Sequence, residues 1–282
     1  MLLLELLRRA TGYLGAHGSS SPRLDAELLL ADALGIRRLD LYLQFERQLA
    51  EPEIAPFRER IARRARGEPV AYLLGRKEFM TLEFEVTPAV LVPNPDTEVL
   101  VERAVTLARG LVEERGEGEA VRFADVGTGS GCIAIAVAHF VPAAEVVASD
   151  DDEAALQIAA RNVERHGLEG RVTLQRGDLL EPAPTGLDLV LANLPYVDEA
   201  AELPAEVRAQ PAHALFAPDG GTALVQRLLD EAPAHLAAGG VVLAELDGAF
   251  AERLRLDGYA RHELRRDLNG QVRVLEAHLS DR

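Results

Sequence analysis

Apolar positions recur at helical spacing through the first 75 residues. Leu3, Leu4, Leu7 and Leu14 share a face, and Leu24 to Leu34 forms an apolar stripe ended by Gly35. Pro52 to Arg66 sets Ile54, Phe57 and Ile61 on one side and five arginines elsewhere. Between Lys77 and Val92 the period changes to two, with Phe79, Leu82, Phe84 and Val86, then Val90 and Val92. That pattern predicts a β-hairpin turning near Thr87-Pro88. Pro88, Pro93 and Pro95 stiffen the connection to a helix capped by Asp96 or Thr97, with Glu98 in its first turn, ending near Glu114. Strand and helix patterns then alternate: strands over Val121–Val126, Glu145–Ser149, Val172–Arg176, Leu187–Ala192 and Val241–Leu246, and helices over Cys132–Phe140, Glu153–His166 and Thr222–Ala237, the last closed by Gly239-Gly240. Tyr259–Leu264 and Gln271–His278 read as a closing antiparallel pair. Alternation of this kind predicts an α/β fold with a mostly parallel, Rossmann-like sheet covered by helices on both faces. The organisation is a helical recognition domain over 1–75, a β-hairpin linker over 76–95 and an α/β domain over 96–282.

The strand ending at Val126 runs into Gly127-Thr128-Gly129-Ser130-Gly131 and then a helix. Glycines there let the backbone turn sharply and approach a ligand, and the helix N-terminus offers free N–H groups. The dinucleotide fingerprint fails because Cys132 stands where its third glycine belongs. A P-loop fails because the only lysine is Lys77, and a serine-hydrolase elbow fails because Thr128 and Cys132 flank Ser130 without glycine. The surviving pattern, Asp125-x-Gly127-x-Gly129-x-Gly131, resembles the S-adenosylmethionine (SAM)-binding motif of class I methyltransferases. Asp150 follows the second strand 23 residues after Gly127, at the spacing of a ribose-binding carboxylate, while Asp151 and Asp152 suit helix caps.

After the strand Leu187–Ala192 comes Asn193-Leu194-Pro195-Tyr196, at the carboxyl end of a strand beside the expected crevice. An amide nitrogen is a poor nucleophile because its lone pair is delocalised. An Asn oxygen and a neighbouring backbone carbonyl can accept both N–H groups of a planar –NH₂ and aim the nitrogen at a methyl group. Pro195 stiffens the loop, and the Tyr196 ring offers a stacking face for a flat target.

Charge narrows the partners. The formal net charge is −16, with 13 Lys+Arg against 11 Asp+Glu in residues 1–80 and 17 against 35 in the remainder. An acidic main body repels phosphate backbones, so stable nucleic-acid binding is not expected and a protein-borne target is favoured. One cysteine, Cys132, excludes an internal disulfide framework and fits a cytoplasmic setting. No stretch approaches the roughly 20 apolar residues of a membrane span.

With these features in place the whole chain resembles the release-factor glutamine N5-methyltransferases. Gly67-Glu68-Pro69-Val70-Ala71-Tyr72-Leu73-Leu74-Gly75 looks like that family's signature, and Pro93-Asn94-Pro95-Asp96-Thr97-Glu98 looks like its Pro-Arg-Pro-Asp-Thr-Glu. Asp125 to Ala134 looks like its cofactor loop, and Pro211 to Gly221 like the stretch after its Asn-Pro-Pro-Tyr. The resemblance implies a class I SAM-dependent methyltransferase fold and methylation of the glutamine in the Gly-Gly-Gln loop of class I peptide chain release factors. On that reading the cofactor would leave as S-adenosyl-L-homocysteine, no metal would take part, and the enzyme would be a cytoplasmic monomer. Gly127, Thr128, Gly129, Ser130, Gly131, Asp150, Leu179 and Asn193 would hold SAM, with Leu179 against the adenine. Asn193, Pro195 and Tyr196 would be catalytic, completed by Leu194 at the substrate. Four departures stand out. Leu194 replaces the first proline, which predicts a softer loop, and Asn94 replaces an arginine that would brace the hairpin. Gln210 stands for a glutamate, and Asp247-Gly248-Ala249-Phe250 lacks the Gly-x-x-Gln ending. Asn-Leu-Pro-Tyr also resembles the loop of ribosomal RNA adenine dimethyltransferases. An adenine-N6 methyltransferase acting on RNA or DNA is therefore the rival enzyme, and a catalytically weakened SAM-binding or release-factor-binding homologue is the non-catalytic one.

Overall fold

Four strands that are apolar on both sides can only lie in the middle of a sheet covered on two faces. In the computed structural model, which describes residues 1–116 and 118–280, this is where they lie. In chain order the elements are α1 (Leu3–Ala16), α2 (Pro22–Ala33), α3 (Glu51–Arg64), α4 (Val70–Leu74), β1 (Arg76–Phe79), β2 (Leu82–Glu85), α5 (Glu98–Arg115), β3 (Val121–Val126), α6 (Cys132–Phe140), β4 (Ala144–Asp150), α7 (Glu153–Arg165), β5 (Val172–Arg176), β6 (Leu187–Ala192), α8 (Ala205–Arg208), α9 (Ala212–Leu215), α10 (Thr222–His235), β7 (Leu236–Glu245), α11 (Gly248–Ala251), β8 (Tyr259–Arg266) and β9 (Val272–Leu279). Strands β3 to β9 form one sheet in the order β5-β4-β3-β6-β7-β9-β8. All pairs are parallel except β7–β9 and β9–β8. The strand order reverses at β3, so the carboxyl ends of β3, β4 and β6 open onto the topological switch point where ligands of such sheets bind.

Successive residues of the central strands face opposite layers. Phe123, Leu189, Leu191, Val241 and Leu243 pack with α5 and α6 on one side. Ala124, Val126, Val190, Ala192, Val242 and Ala244 pack with α10 on the other. Asp188 sits inside the buried β6 run because it is fully engaged. Its carboxylate accepts the backbone N–H of Arg122 at 2.8 Å and Nη1 of Arg115 at 3.0 Å.

The chain divides into two compact units. The smaller comprises Met1–Arg76 with Glu202–Gln210, and the larger comprises Lys77–Ala201 and the chain from Pro211 onward. The smaller unit has its own core, built from Leu3, Leu7, Leu14, Leu29, Leu30, Leu41, Phe57 and Ile61. The segment Glu202–Gln210, inside the α/β domain by the sequence boundaries, belongs to this unit. Arg64, 5% exposed, pairs with Asp25 at 2.7 Å and with Glu206. Gly67 has its Cβ position filled by Ala205, 2.7 Å away.

Two sequence expectations need correction. The hairpin turns at Met80-Thr81, not near Thr87-Pro88. Both residues take positive φ, 49° and 64°, as a two-residue turn of the primed type requires, yet neither is the Asn or Gly that usually announces one. The helix α10 stops at His235, and Gly239-Gly240 lies inside β7, which begins at Leu236. The register against β6 shifts between Leu187 and Leu189, and the glycine pair accommodates that irregularity. Among the described residues no helix is long and apolar enough to cross a membrane.

Candidate active site

At the end of β3 the glycine turn is bent by three left-handed residues, Gly127, Gly129 and Gly131, with φ of 72°, 55° and 80°. Gly127 and Thr128 donate backbone N–H groups to the Ser149 carbonyl at 2.9 and 2.8 Å, which ties the turn to β4. Beneath it lies Asp125, fully buried. One of its oxygens accepts Thr128 Oγ1 at 2.6 Å and the Ala134 N–H at 3.1 Å. The other is buried without a partner, and burial pushes this carboxyl up to about 7. Asp150 closes the turn from the side. Its carboxylate accepts the Gly129 N–H at 2.8 Å and the Asp152 N–H at 3.0 Å, while burial raises its pKa. Each carboxylate oxygen retains a lone pair for a further donor such as a ribose hydroxyl. Asp152 caps α7 through the Ala154 N–H at 2.8 Å.

A cavity opens over these strand ends. Gly127, Thr128, Gly129, Ser130, Asp150, Leu179, Asn193, Leu194 and Pro195 line it, together with the Ala89–Asn94 segment, Thr97, Asp151, Asp178 and His213. Leu179 holds positive φ (48°), with its carbonyl accepting Ser149 Oγ at 3.1 Å. Gly131 does not line the cavity: a Cβ there would meet Ile135 at 3.1 Å, so it serves the close passage of the helix. Tyr196 does not line it either. Its ring packs beside the α10-side core, and its hydroxyl donates to Glu245 Oε1 at 3.2 Å.

The fit of SAM follows from this lining. Among the described lining residues three aspartates appear and no lysine or arginine, so the wall suits a cationic group and offers no cation to a phosphate. The N–H of Gly129, which an anion would need, is already taken by Asp150. Carboxylate, apolar Leu179 and a bare glycine turn together match a nucleoside carrying a positive sulfonium.

Asn193 presents its amide at the edge of the cavity. Its Nδ2 donates to Thr97 Oγ1 at 3.0 Å, which turns Oδ1 away as the acceptor. Thr97 is 2% exposed at the start of α5, and its hydroxyl faces the carboxyl of Glu245, the buried last residue of β7. Burial raises Glu245 to about 7, opposed by the hydroxyls of Thr97 and Tyr196 and by Arg273. Sequence reasoning saw Thr97 only as a helix cap and missed Glu245 altogether. The signal available was a lone acidic residue ending an otherwise apolar strand.

Three of the four departures acquire physical roles. Leu194 is buried, and its Cδ2 lies 3.1 Å from where a Gly127 Cβ would be, so it pins the loop onto the glycine turn instead of softening it. Asn94 accepts the Asp96 N–H at 3.2 Å and starts the turn before α5. Bracing of the hairpin falls to Asn162, whose amide bonds both backbone groups of Glu85, at 2.7 and 3.0 Å, and the Ser130 carbonyl at 2.9 Å. Phe250 is buried in the α10-side core, which gives the Asp247–Phe250 loop a packing role.

The chain has relatives over almost its whole length. The PrmC N-terminal domain model matches residues 5–75, and the Methyltransferase small domain model matches residues 106–245. The release factor glutamine methyltransferase of Rhodopirellula baltica is 39% identical over 97% of this chain and 95% of its own. That of Moorella thermoacetica is 38% identical over 99% of both chains. The fold recurs in a methyltransferase from Pyrococcus furiosus, with TM-score 0.50, 21% identity and coverage of 79% of this chain and 98% of that one. It recurs also in the hMettl16 catalytic domain solved in complex with MAT2A 3'UTR hairpin 6, with TM-score 0.53, 17% identity and coverage of 71% and 75%. A SAM-type cavity on a switch-point sheet, an Asn-Leu-Pro-Tyr loop beside it and near full-length relatives in distant bacteria lead to one assignment: this chain belongs to the release factor glutamine methyltransferase family.

Proposed function

We propose that this chain uses SAM to methylate the side-chain amide nitrogen (N5) of the glutamine in the Gly-Gly-Gln loop of class I peptide chain release factors, acting as a cytoplasmic monomer. The observation that carries the reading is the Asn193 amide, held by Thr97 at the cavity edge so that Oδ1 is left as an acceptor. When bound, SAM supplies an electrophilic methyl group on a sulfonium. Gly127, Thr128, Gly129 and Ser130 shape its seat, Gly131 sets the close helix approach behind them, Asp150 binds the ribose, and Leu179 lies against the adenine. Asn193 Oδ1 and the Leu194 carbonyl accept the two N–H bonds of the glutamine amide, which concentrates electron density on nitrogen and aims it at the methyl. Pro195 and Tyr196 hold that loop, and the Tyr196 role is anchoring through Glu245 in place of stacking.

Adenine in RNA or DNA is the weaker substrate class, because the cavity wall carries three aspartates and no lysine or arginine among the described residues. The test is to mix the protein with labelled SAM and a release factor, then map the added mass by peptide spectrometry. Label on the Gly-Gly-Gln glutamine is the expected result, lost in Asn193→Ala with the fold retained. Label on RNA instead, or full activity in Asn193→Ala, overturns the reading.

A further inference from the structure

The Asn193 side chain could face the substrate with either end, and only one end serves. Its Nδ2 donates to Thr97 Oγ1 at 3.0 Å. A threonine hydroxyl that accepts this bond must send its single proton elsewhere. The group facing it is the Glu245 carboxyl, 1% exposed, whose Oε2 is buried without a hydrogen bond of its own and whose Oε1 accepts Tyr196 Oη at 3.2 Å. Neither Thr97 nor Glu245 carries chemistry itself. Glu245 does not line the cavity, and the charges acting on it are the Asp96–Arg273 ion pair at 2.9 Å. A carboxylate, with two acceptor oxygens and no donor, can accept from both hydroxyls at once; an alkyl side chain cannot, and an amide replaces one acceptor oxygen with an NH₂ donor that competes for the same hydroxyls. Bonds of this kind shorten when the substrate seats.

We propose that Glu245 is a positioning residue: through the Thr97 hydroxyl it fixes which end of the Asn193 amide meets the substrate, and through Tyr196 it anchors the far side of the same loop. This rests on the glutamine-amide reading given above. Residues 97, 193 and 245 come from three separate elements, so the relay links the start of α5 to the carboxyl ends of β6 and β7.

The test uses the full chain, a release factor and labelled SAM, with Thr97→Val, Thr97→Ser and Glu245→Gln beside the wild type. Thr97→Val keeps shape and removes the hydroxyl, and its kcat should fall by about 10–100-fold, with KM for the release factor and SAM affinity within about 3-fold. Thr97→Ser should recover kcat to within about 3-fold, since it restores the hydroxyl without the methyl group. Glu245→Gln should lower kcat without lowering the melting temperature at pH 8, a combination that a purely structural residue does not give. Independently of turnover, the Asn193 side-chain protons should exchange with solvent faster in both Thr97→Val and Glu245→Gln, as read by NMR. Unchanged exchange in Glu245→Gln, or wild-type kcat in Thr97→Val, overturns the proposal. If the wild type labels no glutamine, the functional reading falls, and the exchange measurement still decides the relay. If the wild type labels glutamine and Asn193→Ala does not, while Thr97→Val does so normally, the relay alone is wrong.

Discussion

Gly221 is the position where one added methyl group tests the most. It precedes α10 with φ of 77°, and a Cβ there would lie 2.6 Å from Tyr196 Cα and closer still to the Pro195 carbonyl oxygen. Both atoms are backbone, so no side chain can rotate out of the way, and the Asn193–Tyr196 loop must retreat by about 1 Å to restore ordinary contact. The left-handed backbone adds about 1 kcal/mol for alanine, and overpacking adds about 1–3 kcal/mol. A retreat of that size at a reacting group costs roughly 100-fold in rate, or about 2.7 kcal/mol of barrier. Gly221→Ala should therefore unfold at lower temperature and lose about two decades in kcat for release-factor methylation, while SAM binding, seated on the glycine turn, changes little. Gly110→Ala is the control: it lies inside α5 with no atom near its Cβ position and should stabilise by about 0.5–1 kcal/mol. A Gly221→Ala enzyme that turns over within about 3-fold of wild type would refute the claim that the position of the Asn193–Tyr196 loop governs the reaction.

Asp150→Ala removes the acceptor of the Gly129 N–H and should weaken SAM binding, measured by calorimetry, by at least about 10-fold while leaving the sheet folded. Arg64→Ala strands the Asp25 carboxylate inside the helical unit and should cost about 3–5 kcal/mol in denaturant melts. Glu245, faced by Thr97, Tyr196, Asp96 and Arg273, is raised from 4.5 to about 7, so the folded state holds a proton that the unfolded state has released. Its contribution to stability is complete below the unfolded value and is lost as pH rises through about 7. The melting-temperature difference between Glu245→Gln and wild type should therefore grow in favour of glutamine from pH 5 to pH 8, and a difference that stays flat with pH would contradict the burial argument.

What the sequence disclosed is what local chemistry encodes. Asp125 to Gly131 was readable because left-handed turns demand glycine, and the runs at 121–126 and 187–192 because a two-sided sheet demands predominantly apolar residues on both faces. The hairpin turn at Met80-Thr81 was hidden because tertiary docking on α7, through Asn162 to Glu85, and the Met80 N–H bond to Glu98 at 3.0 Å impose a geometry that neither residue prefers. The pairing of Thr97, read as a helix cap, with Glu245, passed over at the end of an apolar strand, was hidden because no local pattern links them. They meet only after α5 and β7, far apart in the chain, are brought side by side in the fold. Leu194 looked like a loosened proline until its side chain was seen packed on Gly127, a fact about shape across the crevice that no single-residue preference contains.

The membership of Glu202–Gln210 in the helical unit also has a consequence for how the molecule is made. A ribosome releases Met1–Arg76 well over a hundred residues before it releases Glu206, a delay of roughly 6–25 s at ordinary elongation speeds. Through that interval Arg64 has Asp25 but not Glu206, and the space beside Gly67 lacks Ala205. The nascent helical unit is therefore complete in its apolar core but open along one polar seam, and its final closure is tied to synthesis of the chain just beyond the Asn193 loop. Slowing translation between codons 77 and 201 should lengthen the window in which that seam is open to proteases and chaperones, leaving the finished protein the same.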